Sequence, residues 1–581
     1  MKKIMKTTLL SILVISVLTC LWSCRKDSLV RNVSNEVNMT QYLINHPDEF
    51  SELSKVLKLS GTASFLNAFG SYTLFAPTNE AIKTYLQEQG KAAVEDISTE
   101  DWKSFIRFHL LEDSIPTSRF SDGKLAQLTM YGQYLTTTSV NENAVTKIRV
   151  NRQANVVKAD ISVGNGLIHS IDHILTPASL SLAQTIEANP DYSIFTKALI
   201  ESGLYESLNI LPANNPIEAN KWLTVIAETN DVFKAANILS YEDLLRKYSN
   251  TGNPKLPEDS LQLFLKYHIL YDAKYLADVI TADAHNTLAP LEVLTSKLSG
   301  ETVLINDDTF NGVHEQGFSL TRNRSDITAT NGVLHNASQH FAIKLRSPFR
   351  VDFDVAAFPE MVKNTAYYKS DSYEFSTEEV DALTEIKFSG KESGLIYRYG
   401  SAGTSKNSHN KDIMVVPLAT GGTSSRAEWV EFKTPLLIRG KYKVWVAYYT
   451  QAQSSNTNTE VQALIGIDGS NVRVPLSNAR TISFNTKRPG IEKTVNGVKV
   501  TDYDALEAIG WKTYMKDEAG SQVARLMGVV DLSQTGRYWL RLKAINGSQT
   551  TNNVDMIHFI PIGDDQQYWK YNVDGTKILR P

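Results

Sequence analysis

Apolar residues follow two different rhythms along this chain. In the first part they recur three and four positions apart, as at Trp102, Phe105, Ile106 and Leu110, and this spacing predicts an amphipathic helix. From about residue 347 short runs alternate between apolar and polar positions, and turn residues separate the runs, which predicts strands. The pattern therefore predicts a mixed α+β part followed by an all-β part.

The α+β part contains an internal duplication. Three blocks of the first copy recur in the same order in the second, and the matched pairs are 73–80 with 224–231, 105–111 with 264–270, and 160–169 with 326–335. The first block predicts a strand and a capped helix, the second an amphipathic helix, and the third an Asn-Gly turn between two strands. Repeated order indicates repeated structure, so we expect two copies of one fold.

These blocks resemble the motifs of the fasciclin-like domain. Residues 73–81 match the family's first motif, and residues 165–175 follow its last one, Asn-Gly-Val-Ile-His-x-Ile-Asp-x-Val-Leu. The middle motif centres on an aromatic–histidine pair, which is Phe108-His109 in the first copy and Tyr267-His268 in the second. Because both histidines fall on the apolar face of a predicted helix, we interpret them as buried core residues.

The second copy departs from the family pattern at two places. Glu228 replaces the proline of the first motif, and residues 336–338 replace the usual end of the last motif. We therefore expect a fasciclin-like domain at 36–178 and a degenerate one at 179–346. The resemblance implies a compact α+β fold for each, and a role in adhesion or extracellular binding rather than catalysis.

The all-β part, residues 347–581, resembles a galactose-binding-like, carbohydrate-binding-module-like domain. The phrases that carry this resemblance stand in the family's order, at 429–432, 440–446, 467–469, 536–542 and 554–561. The resemblance implies an all-β jelly-roll sandwich behind the two α+β domains. Many modules of this type bind sugars through aromatic faces on loops.

Four aromatic residues of this part are candidate sugar-binding residues: Trp511, Tyr514, Tyr448 and Tyr449. The first two lie in a segment of about 60 residues, longer than the link between strands needs. The alternative interpretation is that all four rings pack inside the sandwich.

The N-terminus resembles a bacterial lipoprotein leader. Three lysines within the first six residues precede an apolar run that is too short for a comfortable membrane span. Leu21-Trp22-Ser23-Cys24 resembles a lipobox, which implies a signal peptide at 1–23, lipidation of Cys24 and a linker at 24–35. Arg25 rather than an aspartate follows the cysteine, so we expect an outer-membrane lipoprotein. Residues 25–27 partly resemble the charged tags that send some lipoproteins to the cell surface, and the orientation stays open between the periplasm and the cell surface. A plain secretory signal is the alternative.

Composition and charge exclude several classes of protein. The 581 residues are 42% hydrophobic and 21% charged, with a formal charge of −4, so we expect no disordered chain and no nucleic-acid partner. The two cysteines, Cys20 and Cys24, leave no cysteine metal site in the folded part. No nucleophile elbow, zincin motif or phosphate loop occurs. The histidine pairs lie in predicted strands, where their spacing does not bring both side chains to one metal ion. We assign no catalytic residue, no metal and no cofactor.

Two classes of function are compatible with these features. The first is a non-catalytic surface lipoprotein for adhesion or extracellular glycan binding, with a polysaccharide or a surface protein as partner, serving a glycan-uptake system. The second is a glycan-active enzyme or its accessory, which needs a carboxylate pair on a catalytic fold. The three assigned domains leave no segment of about 200 residues for such a fold. A ligand-free structural spacer is a third reading.

Overall fold

The computed structural model describes residues 37–579 except 65, 67–69, 143–144, 291, 390–393, 401–404, 423–425, 451–458, 517–520 and 548–549. The predicted signal peptide, Cys24 and the linker lie outside the described residues. No helix in the described part of the chain is long and apolar enough to cross a membrane. The chain divides into two compact units, Met1–Ala178 and Ser179–Pro581, and each is described by itself.

The first unit contains the first repeat. Its helices are α1 Met39–Asn45, α2 Pro47–Ser60, α3 Asn79–Glu88 and α4 Thr99–Phe108, with 3-10 turns at Val94–Asp96 and Thr117–Arg119. Its strands are β1 Tyr72–Pro77, β2 Leu110–Leu111, β3 Gly123–Leu128, β4 Tyr134–Glu142, β5 Val145–Val150, β6 Ala154–Val163 and β7 Gly166–Ile171. They form one sheet in the order β2-β1-β7-β6-β5-β4-β3, in which β1 and β7 run parallel.

The predicted elements of the first repeat are confirmed. Thr78 caps α3 by accepting from the N–H of Ala81, and Ser98 caps α4 by accepting from that of Asp101. The apolar face of α4, with Trp102 and Ile106, packs with α2 against β1 in one core. The Asn-Gly turn joins β6 and β7 as a hairpin.

The second unit begins with the second repeat. Its helices are α5 Leu182–Glu187, α6 Ser193–Ser202, α7 Leu204–Leu208, α8 Asn230–Ala235, α9 Tyr241–Tyr248, α10 Ser260–Tyr267 and α11 Leu276–Val279, with 3-10 turns at Pro190–Tyr192, Pro212–Asn214, Glu218–Asn220 and Arg322–Arg324. Its strands are β8 Leu223–Ala227, β9 Ile269–Tyr271, β10 Ala284–Asn286, β11 Val293–Ser299, β12 Thr302–Ile305, β13 Asp308–Phe310, β14 Val313–Glu315, β15 Phe318–Ser319, β16 Ile327–Ala329 and β17 Gly332–Asn336.

The second repeat keeps the central strand pairing of the first. β8 runs parallel to β17, with Gly332 opposite Leu223, as Gly166 lies opposite Tyr72 in the first repeat. The sheet is divided, however, into the orders β16-β17-β8-β9 and β10-β11-β12-β15, with β13–β14 as a separate hairpin.

The rest of the second unit is a β-sandwich. Its strands are β18 Val351–Asp354, β19 Ser372–Glu374, β20 Ile386–Phe388, β21 Ile396–Tyr399, β22 Asp412–Leu418, β23 Trp429–Lys433, β24 Gly440–Tyr449, β25 Glu460–Ile467, β26 Val474–Pro475, β27 Glu492–Val495, β28 Val498–Thr501, β29 Trp511–Lys512, β30 Gln522–Leu532, β31 Tyr538–Asn546, β32 Thr550–Pro561, β33 Lys570–Tyr571 and β34 Lys577–Ile578. Short helices are α12 Pro359–Val362, α13 Thr377–Asp381 and α14 Tyr503–Ala508, with 3-10 turns at Ser405–Asn407 and His409–Lys411.

Two antiparallel sheets form this sandwich and share one core. One has the order β19-β21-β22-β32-β24-β30-β29, with β18 also paired to β32, and the other has the order β20-β23-β31-β25-β26. Val444 and Ile557 of the first sheet belong to the same apolar cluster as Phe432 and Leu540 of the second. The strands predicted at 429–432, 440–446, 536–542 and 554–561 are all present. The jelly-roll connectivity stays an expectation.

Candidate functional site

The motif asparagines of the two repeats anchor backbone. In the first repeat, Asn165 accepts a hydrogen bond from the N–H of Met39, at the start of α1, at 2.9 Å. In the second, Asn331 accepts from the N–H of Leu182, at the start of α5, at 2.8 Å. Each amide ties the tight turn of the last motif to the first helix of its repeat, so it serves the fold rather than a ligand.

The motif histidines are also buried in equivalent places. His109 and His268 are fully buried, as predicted, and each Nδ1 lies 2.8 Å from a carbonyl one helical turn earlier. Nε2 of His109 accepts from the N–H of Leu175 at 3.0 Å, so this imidazole is neutral with its proton on Nδ1. Burial lowers the pKa of His109 to about 4.

The four candidate sugar-binding rings do not form an exposed platform. Tyr448 and Tyr514 are 0% exposed and Trp511 is 6% exposed, while Tyr449 is half-buried. The hydroxyl of Tyr514 donates to Asp555 at 2.6 Å, and the guanidinium of Arg525 lies 4.1 Å from the ring of Trp511. Three of the four rings therefore offer no accessible face to a sugar, and the prediction is wrong for them.

The reason is that the long segment after β26 folds back as an extra layer. It supplies the hairpin β27–β28, the helix α14 and the edge strand β29, which pairs with β30. Tyr514 and Met515 then pack with Trp445 on the outer face of the larger sheet. The aromatic-rich insertion therefore covers the apolar outer face of the larger sheet.

A cleft of about 620 Å³ lies between the second repeat and the sandwich, within the second unit. Strands β10 and β11 and the hairpin β13–β14 supply one wall. The other wall comes from the start of β18, the β23–β24 turn, Arg537 and the C-terminal residues Trp569 and Lys577. Both aromatic and charged side chains are therefore present, and the volume lies in the range of small-ligand sites.

Polar contacts between the two modules fix the width of this cleft. Arg537 of the sandwich donates to the carboxylate of Asp283 of the second repeat at 2.6 Å, and Glu385 of the sandwich itself also accepts from Arg537 at 3.2 Å. The amide of Gln534 donates to that of Asn286 at 2.8 Å. These contacts hold the walls in place before any ligand arrives, which lowers the ordering cost of binding.

A group of acidic side chains with one histidine, here called the acidic cluster, lies inside the sandwich. Asp354 on β18, His409 and Asp555 on β32 bring potential ligand atoms within 4.8 Å of one another. Asp412 at the start of β22 is fully buried beside them, and one carboxylate oxygen each of Asp412 and Asp555 has no hydrogen-bond partner among the described residues. Burial, with the charges of Asp354 and Asp555, raises the pKa of Asp412 to about 9.

The acidic cluster has the chemistry of a divalent-cation site. Two buried carboxylates and the half-buried one of Asp354 lie beside one imidazole, so charge repulsion remains unless protons or a cation neutralise it. The carboxylate oxygens suit Ca²⁺ or Mn²⁺, and the imidazole nitrogen beside them favours a transition-metal ion such as Mn²⁺ over Ca²⁺. Sequence reasoning missed these residues because it examined histidine pairs close in sequence, whereas positions 354 and 555 meet through the pairing of β18 with β32 and position 409 reaches them from a 3-10 turn.

Comparisons with known proteins agree with the geometry of the repeats. The Fasciclin domain family matches residues 48–177 and 190–339. The chain contains two fasciclin domains. One relative is transforming growth factor-beta-induced protein ig-h3 of Oryctolagus cuniculus, 27% identical over 208 residues, which are 36% of this chain and 28% of that protein. The chain thus spans little more than a quarter of that relative's length.

Solved structures resemble parts of the chain. The FAS1 domain pair of the insect cell adhesion molecule Fasciclin I has 17% identity and a TM-score of 0.23, covering 50% of this chain and 96% of that one. A family 35 carbohydrate binding module from Clostridium thermocellum has 14% identity and a TM-score of 0.16, covering 33% of this chain and 99% of that one. At these scores neither likeness bears on function.

Fasciclin domain 2 differs from fasciclin domain 1 in the partner of its motif histidine. Glu228, which stands in place of the motif proline, accepts from Nε2 of His268 at 2.9 Å and from Nδ1 of His340 at 2.6 Å. Burial alone would raise the pKa of Glu228, but the two histidine hydrogen bonds outweigh it and the pKa is lowered. The carboxylate therefore serves as a structural acceptor in the domain core.

Proposed function

We propose that this protein is a non-catalytic, lipid-anchored surface protein for adhesion and extracellular glycan binding. The two fasciclin domains carry the proposal, because the family resemblance implies adhesion or extracellular binding. Their motif side chains satisfy backbone and core partners, which supports a scaffold and a binding surface rather than a reaction centre.

The proposed anchor is a lipidated Cys24 in the outer membrane. Its support is the sequence alone: a basic start, a short apolar run and the lipobox-like 21–24. Each buried methylene of an attached acyl chain contributes about 0.8 kcal/mol, so two or three chains hold a protein firmly. An outward orientation would present both fasciclin domains and the sandwich to other cells or to polysaccharide.

The cleft is the place where we propose that a glycan binds. We propose the cleft instead of the aromatic insertion of the sandwich as the glycan site, because the rings of that insertion are buried. Its lining combines carboxylates, guanidinium groups and hydroxyls with the half-buried rings of Phe349 and Trp569. Sugars present hydroxyl groups and apolar C–H faces, and these two types of lining group match them.

A two-part experiment tests this proposal. The purified chain from residue 25 onward is screened on an array of bacterial, plant and host polysaccharides, and we expect binding without release of reducing ends. In cells, Cys24→Ala is compared with the wild type by membrane fractionation and by surface labelling, and we expect the variant to leave the membrane fraction.

Each failure removes a different part of the proposal. A Cys24→Ala variant that still sediments with outer membranes contradicts the anchor. Release of reducing ends contradicts the non-catalytic role and favours a glycan-active enzyme. Absence of binding to every glycan leaves adhesion through protein contacts or a ligand-free spacer.

A further inference from the structure

We infer that the cleft between fasciclin domain 2 and the sandwich binds a neutral oligosaccharide segment rather than an acidic one. The inference rests on the proposed glycan-binding function and specifies its ligand. Its basis is the charge balance of the walls, two buried polar atoms without partners, and the mixture of apolar and polar lining.

The charged groups of the cleft neutralise one another. The lining cations are Lys297, Arg350, Arg537 and Lys577, and the lining carboxylates are Asp283, Asp308 and Asp352. Arg537 pairs with Asp283, Arg350 pairs with Asp352 at 2.9 Å, and Lys297 contacts Asp307 just outside the lining at 2.5 Å. A polyanionic ligand would therefore meet almost no net countercharge, and it would face Asp308.

The lining carboxylate of Asp352 has its charge balanced by donors within the protein. Besides Arg350, it accepts from Nδ1 of His558 at 2.8 Å, from the indole of Trp569 at 2.9 Å and from the hydroxyl of Tyr571 at 2.5 Å. A carboxylate with this many donors is satisfied within the protein. Asp352 in turn balances the charge of Arg350, of which only Nη2 is left without a partner among the described residues.

Two buried polar atoms of the walls are not satisfied. Oγ1 of Thr295 and Nη2 of Arg350 have no hydrogen-bond partner among the described residues, and the two residues are 6% and 7% exposed. Buried polar groups without partners are uncommon in folded proteins, and a bound ligand is one way to satisfy them. The hydroxyl of Thr295 can donate to a sugar hydroxyl or accept from one, and the N–H group of Arg350 can donate to one.

The apolar part of the lining combines aromatic rings with aliphatic side chains such as those of Val351 and Leu436. Phe310 and Phe349 lie on opposite walls, and Trp569 is flanked by Arg350 at 4.7 Å and by Lys577 at 4.1 Å from its ring centroid. The lining also carries the hydroxyls of Thr295, Ser296 and Thr309. A lipid or a purely apolar ligand would leave the hydroxyl of Thr295 unpaired, whereas a neutral sugar pairs with this hydroxyl and with the apolar surface.

Two substitutions test the cleft in the full chain. Thr309→Trp adds bulk at an exposed lining position of β13, and Val313→Trp adds the same bulk at a 65% exposed position of β14 that does not line the cleft. Thr295→Val removes the unpartnered hydroxyl with almost no change of shape, so it leaves the protein as stable as before or more stable.

The readout is calorimetric titration with neutral hexasaccharides of glucose, xylose, mannose and galactose, and with oligogalacturonate and alginate oligosaccharides. We expect a neutral hexasaccharide to bind with an affinity that barely changes between 50 and 500 mM salt. Thr309→Trp should weaken it at least tenfold, Thr295→Val about three- to tenfold, and Val313→Trp less than twofold, with thermal unfolding of all three variants retained.

The opposite results overturn the inference in distinguishable ways. Equal binding by Thr309→Trp and the wild type places the sugar site elsewhere, which contradicts the cleft as the glycan site but leaves glycan binding by the chain intact. Salt-sensitive preference for the acidic oligosaccharides contradicts the charge-balance argument. No binding of any saccharide to the wild type contradicts both the inference and the glycan-binding part of the proposed function.

Discussion

The carboxylate of Glu228 lies 2.9 Å from Nε2 of His268 in the core of fasciclin domain 2, and both side chains are fully buried. In fasciclin domain 1 the matching histidine, His109, accepts from the backbone N–H of Leu175 instead. Replacement of the motif proline by a glutamate therefore coincides with a new side-chain partner for the motif histidine. The motif histidine therefore occupies the same place in both domains, but a different hydrogen-bond partner holds it in each.

This pair makes a stability prediction. Glu228→Ala removes an acceptor that His268, His340 and the N–H of Phe341 share, so it should lower the free energy of unfolding by about 3–5 kcal/mol. Urea denaturation of the full chain measures the loss. Glu242→Ala, at an exposed position on α9, is the matched control and should change it by less than about 0.5 kcal/mol. Equal effects of the two substitutions would contradict the structural role of Glu228.

Fasciclin domain 1 should lose stability as the pH falls from about 6.5 to about 4. The pKa of His109 is about 4 in the folded domain because the imidazole is buried, whereas an unfolded histidine titrates near 6.5. Between these values the unfolded chain binds more protons, so stability present above pH 6.5 is lost on acidification, by roughly 3 kcal/mol in all. His169, whose pKa burial also lowers, adds to the same trend.

Unfolding monitored as a function of pH checks this prediction. His109→Gln should be less stable than the wild type at pH 7, and its stability should depend less steeply on pH between 4 and 6.5. His173→Gln, at an exposed position, is the control. A pH profile of His109→Gln as steep as that of the wild type would show that the dependence arises elsewhere.

The local pattern of the sequence predicted the elements of the repeats well. Short-range signals decide these elements: Pro77 ends β1, Ser98 caps α4, and Asn165 with Gly166 makes the turn before β7. The histidine burial followed from helical spacing for the same reason. Such signals act over a few residues, so sequence order suffices to find them.

The candidate sites could not be predicted in that way because they depend on contacts between distant segments. Trp511 and Tyr514 are aromatic residues in a long segment, and alternation cannot tell whether that segment folds back over a sheet face. The acidic cluster joins His409 to Asp354 and Asp555, which lie 55 and 146 positions away along the chain. The pairing of β18 with β32 brings the two aspartates together, and a 3-10 turn places His409 beside them. The cleft likewise needs the packing of two modules.

The Asn-Gly turns should tolerate no larger residue at the glycine. A Cβ at Gly332 would lie 1.9 Å from the carbonyl oxygen of Leu223, because β17 begins where it meets the parallel strand β8. Gly332→Ala must shift backbone and should cost about 1–3 kcal/mol of unfolding free energy. Gly490→Ala, where a Cβ meets nothing within 4 Å, is the control. Thermal unfolding compares them, and equal midpoints would contradict the close approach of the strands.

The acidic cluster predicts a response of the sandwich to divalent cations. A cation that binds only the folded state at a hundred times its dissociation constant stabilises by about 2.7 kcal/mol. Added Ca²⁺ or Mn²⁺ should therefore raise the unfolding midpoint of the chelator-treated protein. Asp555→Asn should abolish this response, since it removes one of the three potential ligand groups, and Asp531→Asn at an exposed position should keep it.

The alternative to a cation is that the acids of the cluster share protons, and pH dependence separates the two. In the metal-free protein the pKa of Asp412 is about 9, far above the value near 3.8 of an unfolded aspartate. The folded state then binds more protons between these values, so stability present at acid pH is lost as the pH rises toward 9. A saturating cation displaces those protons and flattens the loss. If the unfolding midpoint falls steadily with pH and neither metal changes it, the acids of the cluster share protons. If either metal raises the unfolding midpoint, and raises it more at higher pH, the cluster is a cation site.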